Sequence, residues 1–302
     1  MKKILIVGGT GFLGFHLAKY YLKKNFRVIS LSRKKPKKIR HLERVRYIFA
    51  DISKKKELIN ALKKIKNINF IVNFGGEVEH KKIKKTLSTH YGGLKNLSNF
   101  FIDQKIDKFI QVGSSLEYGE TKSPQKESSP LKPRSIYSKA KACSSKYLIN
   151  MNKKYKFPMI IIRPYQVFGP YQDYNRFIPT IINSCLKNKK FACSNGIQFR
   201  DFLYIDDFIN CISYLLEKNN LKNNIYNVGS GKPLQIKKII HLIKKKIKKG
   251  LPEFGKIKLR PDESMITYPD ISKIKKDSGW KPEILFKEGL NKTINFYRKN
   301  LL

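Results

Sequence analysis

The sequence predicts an α/β fold, a doubly wound parallel sheet joined to a smaller, discontinuous C-terminal lobe. Two patterns predict it. Over the first half of the chain, short apolar runs alternate with segments whose apolar residues recur at helical spacing. A glycine-rich turn, residues 8–14 (GGTGFLG), separates the first apolar run from the first helical segment. Since parallel strands need a crossover connection, usually a helix, this alternation favours a parallel sheet with helices on both faces.

The first apolar run, Lys3–Val7, is typical of a buried strand, and Phe12–Lys24 follows it with helical spacing. Five later apolar runs predict further strands, at Arg27–Leu31, Arg46–Phe49, Phe70–Asn73, Phe109–Val112 and Met159–Arg163. The segments between them predict helices, including Lys54–Ile65, Leu87–Gln104 and Ser135–Asn152.

After Arg163 the pattern loosens into turn-rich pieces, and Asn224–Val228 is typical of a strand that returns to the main sheet. We therefore expect residues 1–165 to form the larger domain, with 200–228 returning to it. Residues 166–199 and 229–302 are expected to form the smaller lobe.

The chain has 302 residues, and its 64 basic residues against 22 acidic ones give a formal net charge of +42. Nucleic-acid binding is one interpretation of such a charge. The lysines are instead spread over runs such as 54–56, 81–85 and 244–249, within otherwise helical patterns. That distribution favours a solvated lysine-rich surface and no nucleic-acid partner. The positive field of such a surface would still attract an anionic substrate.

The four cysteines show no CxxC spacing and predict neither a disulfide framework nor a zinc site; they are Cys143, Cys185, Cys193 and Cys211. A reducing cytoplasm and no bound metal are therefore expected. The first apolar run stops after Val7, too early for a signal peptide, and no segment has the length of a membrane span.

Gly8, Gly11 and Gly14 form a GxxGxxG pattern between the first strand and the first helix. Glycines at these positions let the backbone turn tightly and approach a pyrophosphate at a helix N-terminus. A tight turn without a ligand is the alternative, but the strand-then-helix context favours a dinucleotide. The expected contacts are Gly8, Thr10, Gly11, Phe12, Leu13 and Gly14.

The end of the second strand predicts which dinucleotide binds. Enzymes that use NAD place an acidic residue there, on the ribose 2′-hydroxyl. Here the hydroxyl of Ser32 is followed by the cations Arg33 and Lys34, which suit a 2′-phosphate. We therefore expect NADP, with NAD as the alternative if these cations belong only to the basic surface. Further cofactor contacts are expected from Asp51, Ile52, Phe74 and Gly75.

Tyr137 and Lys141 form a YxxxK pattern, which places both side chains on one face of a helix. A neighbouring ammonium favours ionisation of a phenol, which brings the phenol closer to use as an acid or base near neutral pH. Ser114 follows the strand that precedes this helix and could donate a hydrogen bond to a reacting oxygen. A surface tyrosine on an amphipathic helix is the alternative interpretation of this spacing.

Six motifs occur in an order that resembles the signature series of the NAD(P)-dependent epimerase/dehydratase family, the extended short-chain dehydrogenases. They are GGTGFLG (8–14), GSSLEYG (113–119), YSKAK (137–141), RPYQVFGP (163–170), RDFLYIDD (200–207) and SGWKPEILFKEGL (278–290). The resemblance implies a Rossmann sheet that binds the dinucleotide, with the smaller lobe binding a nucleotide-linked sugar. It also implies a homodimer formed through helices 87–104 and 135–152.

The resemblance assigns catalytic roles to three residues: Tyr137 as acid or base, Lys141 as the holder of the nicotinamide ribose, and Ser114 as the group that orients the substrate. Both Tyr137 and Lys141 would also contact the cofactor. The substrate-binding residues that it implies are Ser115, Gln166, Phe177, Arg200 and Arg260.

Sugar 4,6-dehydratases of the family carry an Asp/Glu or Ser/Glu pair directly after the residue that matches Ser114, whereas this chain has Ser115 and Leu116 there and so lacks the Glu. Glu117 follows one position later, where the family usually has an apolar residue. Glu79 and His80 are a second possible source of polar groups near the sugar, or else solvated loop residues.

These features together predict a reductase that acts on the C4 keto group of a nucleotide-linked 4-keto-6-deoxysugar. An epimerase similar to UDP-glucose 4-epimerase, with NAD bound, is the close alternative. An RNA-binding Rossmann-like protein is an alternative of another class, suggested by the net charge of +42.

Overall fold

The computed structural model describes residues 1–76, 83–259 and 263–301. Its strands are β1 Lys3–Val7, β2 Arg27–Ser32, β3 Arg46–Phe49, β4 Phe70–Asn73, β5 Lys108–Val112, β6 Met159–Pro164, β7 Gln166–Phe168, β8 Lys190–Ala192, β9 Phe199–Tyr204, β10 Ile225–Val228, β11 Pro233–Gln235, β12 Leu251–Glu253 and β13 Ile266–Thr267. Its α-helices are α1 Phe12–Lys23, α2 Lys55–Leu62, α3 Ile83–Leu87, α4 Gly93–Phe100, α5 Ile136–Tyr155, α6 Phe177–Leu186, α7 Ile205–Glu217, α8 Ile236–Ile247, α9 Ser272–Ser278 and α10 Phe286–Leu301. Short 3-10 turns lie at Lys38–Arg40 and Ser115–Glu117, and a π-helical turn lies at Ser88–Gly92.

In the described residues, the larger sheet has the strand order β10-β6-β5-β4-β1-β2-β3, and each neighbouring pair is parallel. The order reverses between β1 and β4, because the chain runs outward from β1 to β3 and then crosses back to the other side of β1. The predicted doubly wound parallel sheet is therefore confirmed. Ligands of such sheets bind at the carboxyl ends of the strands, where the order reverses.

Helices cover both faces of this sheet, which explains why its strands read as continuous apolar runs. In β1, Ile4 and Ile6 pack in the cluster that includes α1 and α7. Leu5 and Val7 point to the opposite face and pack with α2, α4 and α5. All four side chains are buried, so a slip of one residue in β1 would exchange the two faces.

Most predicted strands and helices agree with the structure to within a few residues, but the helix predicted over Leu87–Gln104 differs. The helical segment begins at Ile83, is interrupted by the π-helical turn Ser88–Gly92, and its last α-helical residue is Phe100. The hydroxyls of Ser88 and Thr89 donate to the carbonyl of Lys85 at 3.1 Å and 2.7 Å. These bonds compete with the regular backbone pattern and accompany its local widening.

A smaller sheet is built on β9, which pairs antiparallel with β11 and parallel with β13 and β7. Strands β8 and β12 form a separate parallel pair. Thus β9 belongs to the smaller sheet, and the return to the larger sheet is made through α7 and β10. The division into a cofactor domain and a substrate lobe remains a prediction.

None of the helices in the described ranges combines the length and the apolar character needed to cross a membrane. The four cysteines are free thiols, and Cys143 alone of them is exposed. Across the same ranges, no group of three His, Cys, Asp or Glu side chains could hold a metal ion.

The turn between β1 and α1 depends on the absence of a side chain at residue 14. A Cβ atom there would lie 2.5 Å from both the carbonyl oxygen of Gly8 and the Cα atom of Gly9. Both of those atoms belong to the backbone, so they cannot move aside as a flexible side chain would. Gly8 itself has a φ of +78°, which also favours glycine. The glycine pattern thus brings α1 directly against the end of β1.

We predict that Gly14→Ala lowers the free energy of unfolding by about 1–3 kcal/mol, because the added methyl group forces α1 away from the turn. Gly92→Ala is the matched control, since a Cβ atom at that helical position meets nothing within 4 Å. Urea denaturation followed by circular dichroism measures both variants. Equal stability of the two proteins would contradict this explanation of the glycine pattern.

Candidate active site

The glycine turn leaves the N-terminus of α1 ready for an anion. Gly11 is the N-cap and supplies no side chain to the first N–H groups of α1, and the first turn contains no acidic residue. Backbone N–H groups and the helix dipole therefore favour a negative group at this point. Phe12 and Leu13 open the helix and are partly exposed. The turn fits the pyrophosphate of a dinucleotide.

The end of β2 lies beside this turn. The backbone N–H of Thr10 donates to the hydroxyl of Ser32 at 3.3 Å, and Arg33 follows with an exposed side chain. The segment from Arg27 to Leu42 contains neither Asp nor Glu. A hydroxyl and a cation therefore stand where a carboxylate would bind a ribose 2′-hydroxyl.

The ends of β3 and β4 complete the predicted cofactor edge. One oxygen of Asp51 accepts the backbone N–H and the hydroxyl of Ser53, at 2.9 Å and 2.7 Å, so this carboxylate also holds the turn before α2. Ile52 is buried, and a Cβ atom on Gly75 would lie 2.9 Å from its side chain. A Cβ atom added to Gly8 would lie 3.2 Å from the backbone of Phe74. The predicted cofactor residues thus come together at one edge of the sheet.

Ser114, Tyr137 and Lys141 converge at the carboxyl end of β5. Ser114 follows β5 as the N-cap of the 3-10 turn, and its hydroxyl accepts the N–H of Leu116 at 3.2 Å. Lys141, on α5, donates from Nζ to the carbonyl of Val112 at 2.6 Å. Tyr137 lies one helical turn earlier and is hydrogen-bonded to Ser114. The structure therefore brings together the three residues that the spacing singled out.

Burial controls the charges of this group. It raises the pKa of Tyr137 to about 12, against the lowering effect of the Ser114 hydrogen bond. It lowers the pKa of Lys141 to about 8, and the negative charge of Glu117 partly opposes that change. The expectation that the ammonium brings the phenol pKa towards neutrality is wrong for the protein alone, because desolvation of the phenolate is the larger effect. Burial therefore favours the protonated phenol of Tyr137 at neutral pH.

Two neighbours of Tyr137 were missed by sequence reasoning. The ring of His90, in the π-helical turn, meets the ring of Tyr137 edge to face at a centroid distance of 5.0 Å. Arg176, the N-cap of α6, is a cation that favours the ionised phenol. Neither residue is near Tyr137 in the sequence. For His90, the one local indication is the pair of hydroxyls, on Ser88 and Thr89, that accompanies the π-helical turn.

The predicted substrate residues are more dispersed. Ser115 is buried beside Ser114, Gln166 begins β7 and is exposed, and Phe177 begins α6 with its ring 5.9 Å from that of Phe202. Arg260, as well as Glu79 and His80, lies outside the described residues.

Arg200 lies on β9 but does not present a free guanidinium. It forms an ion pair with Glu263 and donates to the carbonyl of Phe199 at 2.7 Å. A phosphate at this position would have to replace the Glu263 carboxylate.

A cleft of about 810 Å³ lies beside the pair of Arg200 and Glu263, and its lining includes Glu120, Lys122, Arg134, Phe199, Glu263 and Tyr268.

Comparison with known proteins supplies the context for this geometry. The chain matches the model of the NAD dependent epimerase/dehydratase family over residues 4–229. It is 28% identical over 320 residues to a dTDP-D-glucose 4,6-dehydratase of Homo sapiens, a match that covers 99% of this chain and 91% of that protein. It is also 28% identical over 311 residues to a putative UDP-glucose 4-epimerase of Methanocaldococcus jannaschii, covering 98% of this chain and 99% of that protein.

Solved structures show the same fold. A UDP-glucose 4-epimerase of Thermotoga maritima, determined with UDP-glucose, aligns with a TM-score of 0.91 at 21% identity, covering 99% of this chain and all of that chain. A UDP-glucuronic acid 4-epimerase of Bacillus cereus, in complex with UDP-glucuronic acid and NAD, aligns with a TM-score of 0.87 at 24% identity and covers 99% of each chain. The family match spans most of the chain and confirms the resemblance carried by the six motifs. The chain belongs to the NAD dependent epimerase/dehydratase family.

Proposed function

We propose that this chain is an NADPH-dependent reductase of the C4 keto group in a nucleotide-linked 4-keto-6-deoxysugar. The observation that carries the choice of reduction is the end of β2, where Ser32 and Arg33 replace a carboxylate. Arginine suits a 2′-phosphate because its planar fork of donors matches the phosphate oxygens. A net reduction consumes one reduced coenzyme in each turnover, so the coenzyme must exchange, and NADPH is a reductant of this exchangeable kind.

The residues at the carboxyl end of β5 suit the acid half of this reaction. A bound reduced nicotinamide supplies the hydride for C4. Tyr137, protonated at neutral pH, gives its proton to the C4 oxygen as that oxygen gains negative charge. Ser114 would donate a hydrogen bond to the same oxygen. Lys141, whose Nζ is bonded to the carbonyl of Val112, would hold the coenzyme ribose.

Dehydration is less well supported than reduction. Elimination of water from a sugar needs an acid that can reach the substrate, and Ser115 and Leu116 supply none. Glu117, the next residue, is fully buried and ion-paired with Arg163. Its carboxylate therefore faces the protein interior.

Epimerisation at C4 is the second candidate, favoured by the epimerase named among the relatives. The same three residues can serve both reactions, since epimerisation returns the hydride to the sugar on its other face. An epimerase retains NAD through the cycle, whereas a reductase exchanges its coenzyme. The substrate lobe, a homodimer and a cytoplasmic location remain predictions from the sequence.

The direct test mixes the purified protein with NADPH and a nucleotide-linked 4-keto-6-deoxysugar. We expect the near-ultraviolet absorbance of NADPH to disappear in step with the ketone. Tyr137→Phe keeps the ring but removes the acid, and it is expected to lower the rate by about 10²–10⁴. No consumption of NADPH, together with NAD tightly bound to the purified protein, would favour the epimerase.

Arg33→Ala is expected to raise the dissociation constant of NADPH by about 10–100-fold, because it removes charge-assisted hydrogen bonds to the 2′-phosphate. The affinity for NADH should stay unchanged. Lys34→Ala, the neighbouring cation, is the matched control and should have a much smaller effect. Fluorescence titration with both coenzymes makes the comparison. Equal losses of NADPH and NADH affinity in Arg33→Ala would contradict the proposed coenzyme.

The reduction should also depend on pH through Lys141, whose pKa burial lowers to about 8. Below that pH the side chain is an ammonium, and above it the charge is lost. We therefore expect kcat to be level near neutral pH and to fall as the pH rises through about 8. Lys141→Arg, which stays charged, should lack this fall even if its kcat is lower. A wild-type rate that increases above this pH would contradict the assignment.

A further inference from the structure

A buried carboxylate lies directly beneath the turn that carries Ser114. Glu117 has 0% of its surface exposed, and its three polar contacts come from three different parts of the fold. One oxygen, Oε1, accepts the backbone N–H of Ser114 at 2.9 Å. The other, Oε2, accepts the hydroxyl of Ser145 on α5 at 2.8 Å and Nε of Arg163 on β6 at 3.0 Å. The carboxylate thus connects the turn to both neighbouring elements.

Arg163 is itself anchored in the sheet. It is 2% exposed, and its Nη1 donates to the hydroxyl of Tyr118 at 3.0 Å, with the guanidinium 4.9 Å from the centre of the Tyr118 ring. The Tyr118 hydroxyl donates in turn to Asn227 on β10 at 2.7 Å. The pair is therefore held by β6 and β10, which lie on one side of β5, so its position is fixed relative to the sheet.

Stability alone does not explain this pair. A buried ion pair loses its hydration, and well-packed apolar residues of similar volume are often as stable or more stable. The chain instead keeps a charged pair whose carboxylate, Glu117, is three residues after Ser114. The backbone N–H of Ser114 donates to Glu117, and the hydroxyl of Ser114 accepts the N–H of Leu116. These two hydrogen bonds form a capping box that fixes the backbone and the hydroxyl of Ser114.

The charge of Glu117 also reaches the other two residues of the site. It raises the pKa of Lys141 against burial, and it raises the pKa of Tyr137 in the same direction as burial. Around the phenol, the Ser114 hydroxyl and Arg176 act in the opposite direction, and the ring of His90 packs against it. Glu117 thus favours the protonated form of both the phenol and the amine.

We propose that Glu117, held by Arg163, is a positioning residue that fixes Ser114 and places a buried negative charge between Ser114 and Ser145, one helical turn from Lys141. The inference rests on the proposed function, because it assumes that these three residues carry the reaction. It assigns a role in the pH dependence of catalysis to a buried ion pair that does not line the cleft beside Arg200 and Glu263.

Glu117→Gln tests the proposal, because it keeps the side-chain volume and removes the charge. We expect kcat to fall while KM changes little, and the alkaline fall in kcat to move down by about one pH unit. Asp207→Asn is the matched control: Asp207 is equally buried and accepts the backbone N–H groups of Glu283 and Ile284. It lies at the start of α7 and should lower the melting temperature without moving the pH profile. Glu117→Asp, which keeps the charge, should restore the wild-type profile in part.

Glu117→Gln leaves the Arg163 charge without its partner and could fail to fold. The double variant Glu117→Gln with Arg163→Met removes both charges and should fold. It should still show the downward shift, because Glu117 is the residue that raises the pKa of Lys141. A wild-type pH profile in whichever variant folds would overturn the proposal and leave Glu117 as a purely structural residue.

A substrate-free measurement separates this result from failure of the proposed function. The pH dependence of NADPH binding, followed by fluorescence, requires no sugar. If the protein binds NADPH but reduces no 4-keto sugar, the proposed reaction is wrong, yet a downward shift of the binding profile in Glu117→Gln still supports the role of Glu117. An unshifted binding profile would refute that role independently.

Discussion

The candidate active site is organised around one contact, the hydrogen bond from Nζ of Lys141 to the carbonyl of Val112 at 2.6 Å. Both groups are buried, so neither can exchange this bond for water. The bond fastens α5 to the carboxyl end of β5, two strands from β1 and next to the point where strand order reverses. Tyr137 is one turn away on the same helix and therefore meets Ser114 at the edge where the glycine turn would place a dinucleotide. The same hydrogen bond thus fixes both the packing of α5 on the sheet and the position of Tyr137.

Local patterns were sufficient to predict the sheet and to single out three candidate residues that the structure brings together. The strands β1 and β4 are short, apolar and bounded by turns, so their bounds follow from sequence alone. The YxxxK spacing is a property of one helix, and that is why Tyr137 and Lys141 could be assigned before the fold was known. What the sequence did not reveal arises from tertiary contacts. The burial that raises the pKa of Tyr137, the approach of His90 and the ion pair of Arg200 with Glu263 join segments that are far apart in the chain.

The direction of the Glu117 side chain is another feature that the sequence could not predict. Strand alternation could not say where its side chain points, because the residue lies in a 3-10 turn after β5. In the structure it faces inward to Arg163 and Ser145. Its charge acts with burial to raise the pKa of Tyr137. Ser115 and Leu116, the two residues directly after Ser114, are not acidic.

Isotope transfer tests the central claim most directly. The protein would be supplied with NADPH carrying deuterium at the transferable position of the nicotinamide and with a nucleotide-linked 4-keto-6-deoxysugar, and the product would be analysed by mass spectrometry and proton NMR. Our account predicts one deuterium at C4 of the sugar for each coenzyme oxidised, and no incorporation with Tyr137→Phe beyond its residual turnover. A product without deuterium, or full turnover by the phenylalanine variant, would contradict it.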